Sequence, residues 1–202
     1  MLENAWQQVT ATSWIEWLGS LAGIIGVYFS IKEKIAAWSL FLVCYAVYIY
    51  LSYQAGLYAA VAMNAAFIVI SFYGWLNWSS ALSRDIAPIY ISKTPKTGLI
   101  AALAFILFGT IGFGAAVHHY TSAYMPYLDA FALCNAFTAQ WMLSRKYVEN
   151  WLFWILADVI YLGLWWAQGY LISAILFTIF ISLAIQGWFE WRRQMEAHNQ
   201  CP

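Results

Sequence analysis

Trp151, Trp154, Asp158 and Tyr161 recur at steps of three, four and three, a spacing that sets all four on one face of a helix. Asp158 is the only acid deep inside any apolar run of the chain. A carboxylate a turn and a half or more from either end of a membrane helix costs about 2.5–3.5 kcal/mol on insertion scales, so it is expected to face a protein interior or a wet cavity. Aromatic faces attract cations by about 0.5–2 kcal/mol each, more when desolvated. An ionised Asp158 among such rings makes a flat cationic heterocycle the natural guest. Asn64, Asn135, Gln140 and Gln186 also sit inside apolar runs. Each has the chemistry to meet a guest's hydroxyls or amides, and equally to bridge two helices.

The elements that must position this face follow from composition. Apolar residues make up 64% of the 202 and charged residues 9%, against about 45–50% and 25% in soluble domains, so no soluble surface can be built from this chain. A formal charge of zero gives nucleic-acid binding no electrostatic footing. Cys44, Cys134 and Cys201 match no metal or redox spacing and read as small filler and a tail residue. The chain carries no Ser-His-Asp, H-E-x-x-H, P-loop or G-x-G-x-x-G signature, so an enzyme is not expected, nor a cofactor or metal. His118 and His119, beside Tyr120 and Tyr124, read as an interfacial polar turn.

Hydropathy predicts seven spans, near 14–31, 35–52, 57–77, 98–117, 126–143, 151–167 and 171–190. Each is long enough for a helix to cross about 30 Å of hydrocarbon. The runs lack the alternation of a barrel, so the expected fold is an all-α integral membrane protein. The first span has Glu3 and no basic residue before it, and no cleavage site after it, so it is expected to stay in the mature chain. All nine basic residues fall on one side: Lys32 and Lys34, then Arg84, Lys93 and Lys96, then Arg145 and Lys146, then Arg192 and Arg193. That segregation predicts an outside N-terminus and a cytoplasmic C-terminus, and it supports an odd number of spans. Residues 79–97, with two prolines and several Ser and Thr, read as a cytoplasmic linker.

The halves on either side resemble each other. With a constant shift of 113 positions and no gaps, 16–78 lies over 129–191: Trp38 on Trp151, Tyr48 on Tyr161, Gly56 on Gly169, Gly74 on Gly187, Trp75 on Trp188 and Trp78 on Trp191. Glu16 falls on Asp129 and Lys32 on Arg145. The expected architecture is a single membrane domain in a parallel 3+1+3 arrangement. Its parts are repeat 1 over about 14–78, a linking helix over 98–117, repeat 2 over about 126–191 and a tail over 192–202. Trp151, Trp154, Asp158 and Tyr161 then overlie Trp38, Phe41, Tyr45 and Tyr48, two aromatic stripes expected to form a slot at the repeat interface near mid-membrane. Asp158 stands opposite Tyr45. Trp75, Trp78, Trp188 and Trp191 read as interface belt and packing. The substrate-site expectation is therefore Trp151, Trp154, Asp158, Tyr161, Tyr45, Tyr48, Asn64, Asn135 and Gln186.

The run R-K-Y-V-E-N-W-L-F-W at 145–154, then A-D-V-I-Y and Q-G-Y, with S-W-I-E at 13–16 and A-G-L-Y…Y-G-W-L-N-W at 55–78, resembles the PnuC family of bacterial vitamin transporters. The resemblance covers nearly the whole chain except the linker and span 4, and N-W-x-x-W is its most specific part. It implies a SWEET-like fold and facilitated diffusion of nicotinamide riboside across the inner membrane. It also implies trapping by a cytoplasmic vitamin kinase in place of an ion gradient, with Trp151, Trp154 and Asp158 as site positions. Nicotinamide riboside carriers of the family tend to have Asn at the position of Asp158, and an Asn near Cys44 or Tyr45. The carboxylate and the G-L-Y-A segment at 56–59 lean toward thiamin-type relatives, so thiamin is the alternative cargo. A non-transporting membrane subunit and ion coupling through Asp158 are further alternatives. The expected partners are a small vitamin and the lipid bilayer, with a homo-oligomer left open.

Overall fold

The computed structural model describes residues 13–80 and 89–200, with side chains described to His198. Glu3, residues 81–88 of the expected linker with Arg84, and Cys201 in the tail lie outside the described residues. The helices are α1 (Trp14–Ile31), α2 (Ala36–Gln54), α3 (Tyr58–Ser80), α4 (Lys96–Tyr120), α5 (Pro126–Ser144), α6 (Asn150–Ala167) and α7 (Leu171–Gln200). The chain divides into two compact units, Met1–Tyr90 and Ile91–Pro202. In the first, α1 packs on α2 and α2 on α3; in the second, α4 packs on α5, α5 on α6 and α6 on α7.

Local chemistry sets the helix ends. The Ser13 side chain accepts the Glu16 N–H at 3.2 Å and opens α1. Pro126 opens α5, where its missing N–H leaves no intrahelical bond unmade. The turns after α2 and α6 close on Gly56 and Gly169, with φ of +71° and +81°, a region that only glycine enters freely.

Within each unit, small residues let neighbouring helices approach closely. In the first, a Cβ at Gly26 of α1 would stand 2.8 Å from the Phe41 ring of α2, and one at Gly74 of α3 would stand 2.3 Å from the Trp38 indole. In the second, Gly109 and Gly114 of α4 take Cys134 and Tyr127 of α5, and Gly187 of α7 takes Trp151 of α6.

Positions paired by the shift of 113 share this geometry. Trp38 meets Trp78 edge to face at 5.2 Å and 88°, and Trp151 meets Trp191 at 5.3 Å and 85°. Glu33 and Lys146 both take a left-handed backbone, with φ of 52° and 55°. The Lys34 N–H donates to the Phe29 carbonyl at 2.9 Å, and the Tyr147 N–H donates to the Met142 carbonyl at 3.0 Å.

Among the described residues, six helices are long and apolar enough to cross a membrane; α5 is the exception. It carries Asp129, Asn135, Thr138 and Gln140, and eleven of its nineteen residues are buried. A helix enclosed by protein needs no apolar surface for lipid, which is why the fifth expected span is also the most polar. The other helices differ from expectation mainly in length. The linking helix runs over Lys96–Tyr120, beyond the expected 98–117, and α7 continues as helix through Gln200 where a tail was expected from 192. Arg193 and Glu190, 2.8 Å apart, line the continued helix, and Arg192 and Glu196 meet at 3.4 Å one turn on.

The end of the linker is docked in the second unit. Ser92 bridges Tyr147 in parallel, its N–H donating to the Lys146 carbonyl at 3.1 Å while its carbonyl accepts the Val148 N–H at 2.9 Å. The Glu149 carboxylate accepts both the Thr94 N–H, at 2.8 Å, and the Thr94 hydroxyl, at 2.7 Å. Within the segment read as a cytoplasmic linker, Ile91 is buried beside this bridge.

Candidate functional site

Asp158 lies eight residues into the eighteen-residue α6, about 12 Å from either end at 1.5 Å per residue. It is 5% exposed, and its carboxylate accepts no hydrogen bond and forms no ion pair among the described residues. One turn toward the start of α6, Trp154 is half-buried and its side chain makes no hydrogen bond or ring contact among the described residues. One turn the other way, the Tyr161 ring lies 5.2 Å from Phe177 of α7 at 30°, and its hydroxyl has no partner among the described residues. Together these give α6 an acid, an indole and a phenol whose polar or π surfaces are not spent inside the protein.

Trp151, at the same helical spacing, differs. It is 1% exposed, seated on Gly187 with ring atoms 2.5 Å from where a Cβ would stand, and edge-on to Trp191. Its indole joins α6 to α7. The sequence face is continuous through all four residues, yet among the described residues it is Trp154, Asp158 and the Tyr161 hydroxyl that are left uncommitted.

The corresponding stripe of the first unit is packed upon itself. Tyr45 stacks on Phe67 at 5.0 Å and 15° and on Phe41 at 6.3 Å and 27°, and Phe41 meets Trp38 edge to face at 5.8 Å. The Tyr48 hydroxyl is bonded to the Ser20 hydroxyl at 3.0 Å. Asn64 is buried on α3 and donates its amide back to the Ala60 carbonyl at 2.8 Å. Gln186 is exposed on α7, on a different side of the helix from its buried neighbour Gly187. Its side chain leaves α7 about 100° round from Gly187, the glycine seated on Trp151.

Asn135 is 1% exposed on α5 and spends its amide N–H on the Phe131 carbonyl at 2.8 Å, leaving Oδ1 buried without a partner. It lies nine residues before the end of α5, and α5 and α6 pack as consecutive helices across a short turn. Asp158 lies eight residues past the start of α6. At 1.5 Å per residue both are about 12–14 Å from that turn, so they sit at the same depth. Sequence reading passed over Thr138, one turn from Asn135, and Glu149, just before the helix; the spacing from Asn135 was the available signal for the first.

No three His, Cys, Asp or Glu side chains converge among the described residues. Binding a flat polar organic molecule by its rings, its charge and its hydrogen-bonding groups is what the α6 face and its α5 neighbour are equipped to do.

Known proteins share this chain's pattern over nearly its whole length. A family described as nicotinamide mononucleotide transporter matches residues 13–193. The chain is 24% identical to the nicotinamide riboside transporter PnuC of Escherichia coli (strain K12), over 89% of this chain and 85% of that one. It is also 24% identical to the PnuC of Neisseria mucosa, over 93% and 75%. Identity to the riboflavin/roseoflavin transporter RibM of Streptomyces davaonensis is 22%, over 88% and 84%. A crystal structure of the vitamin B3 transporter PnuC superposes with a TM-score of 0.74 at 22% identity, covering 96% of this chain and 88% of that one.

Proposed function

The chain belongs to the nicotinamide mononucleotide transporter family, that of the PnuC vitamin carriers, and we propose that its cargo is nicotinamide riboside, carried across the bacterial inner membrane by facilitated diffusion. It is a multi-pass membrane transporter of a vitamin and not an enzyme. The single observation that carries a cationic-ring cargo is Asp158, deep in α6, buried and without a hydrogen bond or ion pair among the described residues, one turn from the uncommitted Trp154 indole, and the nicotinamide riboside carriers among the relatives support that vitamin first. A cationic pyridinium ring satisfies both, the indole by its face and the carboxylate by its charge. Thiamin is the second reading, favoured by the full carboxylate at Asp158 and by its own cationic ring.

In this reading one deep acid is too few for a proton relay, and accumulation comes from phosphorylation of the vitamin inside the cell. The basic residues on one side support an outside N-terminus and a cytoplasmic C-terminus. The paired Trp-on-Gly seats and left-handed turns, 113 positions apart, support a parallel 3+1+3 repeat.

Purified protein in liposomes, tested side by side with labelled nicotinamide riboside, thiamin and riboflavin, decides the cargo. Nicotinamide riboside is expected to equilibrate without a gradient, to accumulate only when a nicotinamide riboside kinase and ATP are enclosed, and to be indifferent to collapse of the membrane potential. Liposomes that move none of the three identify a non-transporting subunit, and uptake that dies with the proton gradient identifies a coupled carrier.

A further inference from the structure

Hydroxyl side chains on these helices mostly satisfy themselves. Ser30, Ser80, Ser144, Thr121, Thr178 and Ser182 each donate to a carbonyl three or four residues back, at 2.6–2.9 Å. Such back-bonding is the ordinary resort of Ser and Thr in a helix that has no water at hand. Thr138 of α5 does not follow it. It is 4% exposed, and its Oγ1 is buried with no hydrogen-bond partner among the described residues.

Thr138 stands one turn from Asn135, and three residues along a helix return to within about 60° of the same direction. Asn135 Oδ1 is likewise buried and without a partner. These two groups lie in the middle of α5, within about a turn of the depth of Asp158 on α6. A buried polar atom left without a partner costs free energy that apolar filler avoids, so two such atoms a turn apart on α5, with the buried Asp158 carboxylate near their depth on the adjoining α6, mark a place completed by something else. The unspent groups are an amide oxygen, a carboxylate and a hydroxyl. Two of these only accept hydrogen bonds and the third does either, so the matching chemistry is a ligand surface rich in O–H and N–H donors.

We propose that Thr138 is a further substrate-binding residue, forming with Asn135 a polar stripe on α5 that receives the hydrogen-bond-donating hydroxyl or amino groups of the vitamin whose ring is held by α6. This rests on the transport reading above and extends it from the ring to the polar remainder of the cargo. The geometry gives Thr138 a discriminating role. A site built to bond a hydroxyl or amine penalises an analogue lacking it, because the site's own buried groups are then left unpaired.

The test is calorimetric titration of the full-length protein in detergent with nicotinamide riboside, thiamin and riboflavin, alongside the thermal midpoint of the unliganded protein. Thr138→Val keeps the shape and removes the hydroxyl. It is expected to weaken binding of the vitamin the wild type takes by about tenfold, about 1.4 kcal/mol, while the unliganded midpoint stays level or rises. Thr138→Ser is expected to bind within about twofold of wild type. Undiminished binding by Thr138→Val, where Asp158→Leu has lost it, overturns the stripe and leaves the transport reading standing. A midpoint lowered by several degrees in Thr138→Val, or a variant that does not fold, shows that the hydroxyl serves the fold and also overturns it. A wild type that binds none of the three vitamins removes both readings together.

Discussion

An acid held mid-helix without a counter-charge works against the empty protein, and that gives its role a sign. Asp158→Leu, an apolar side chain of similar size, is expected to raise the thermal midpoint of unliganded protein, because it removes an insertion cost of about 2.5–3.5 kcal/mol, while weakening binding of a cationic vitamin tenfold or more. Differential scanning fluorimetry and equilibrium binding on one preparation check both halves. The two indoles of the N-W-x-x-W segment are expected to separate in the same assay. Trp151 fills the seat at Gly187, so Trp151→Ala loses about 3–5 kcal/mol of packing and the protein is markedly less stable. Trp154, half-buried and without a ring partner, loses affinity on truncation to Ala with a much smaller fall in midpoint. Periodicity placed these residues on one face because face is a property of a single helix. Which neighbour occupies each part of that face depends on α7, and the glycine that admits Trp151 lies 36 positions away in the sequence.

At the scale of elements, the bounds of α1, α2 and α6 were legible to within a few residues, because an apolar run flanked by turn residues leaves the backbone only one way to satisfy itself in lipid. The enclosure of α5 was not, since hydropathy cannot tell a helix surrounded by protein from one facing lipid. Nor was the docking of residues 91–95, which depends on a carboxylate 55 positions from the threonine it holds. Glu149 bonds the Thr94 N–H and hydroxyl just before α4 begins, and bonds to a charged group contribute about 1.5–3 kcal/mol. Glu149→Ala is expected to expose the amides of 91–95 to exchange at least tenfold faster, with Glu149→Gln in between, as read by hydrogen-exchange mass spectrometry. The glycine seats give a matching prediction. Gly187→Val drives a branched side chain into the Trp151 indole and is expected to cost upwards of 1–3 kcal/mol, lowering the denaturation midpoint of the purified protein.

For the whole molecule, the family and the membrane class were legible from composition and a handful of motif residues, whereas the difference in aromatic packing between the halves was not. Both halves carry the same turns and the same indole-on-glycine seat. In the first, however, Phe41, Tyr45 and Phe67 close over one another, while in the second Trp154 and Asp158 are left uncommitted. A sequence shift records that Tyr45 stands where Asp158 stands, but not that one is stacked and the other waits. The duplicated seat has a spectroscopic consequence. With 5-fluorotryptophan incorporated, the ¹⁹F resonances of Trp38 and Trp151, identified among those of the thirteen tryptophans by single substitution to Phe, report the two seats separately. Cargo held by α6, as proposed, would shift the Trp151 line on titration and leave the Trp38 line in place, so the two lines together would report which of the matching seats lies nearer the vitamin.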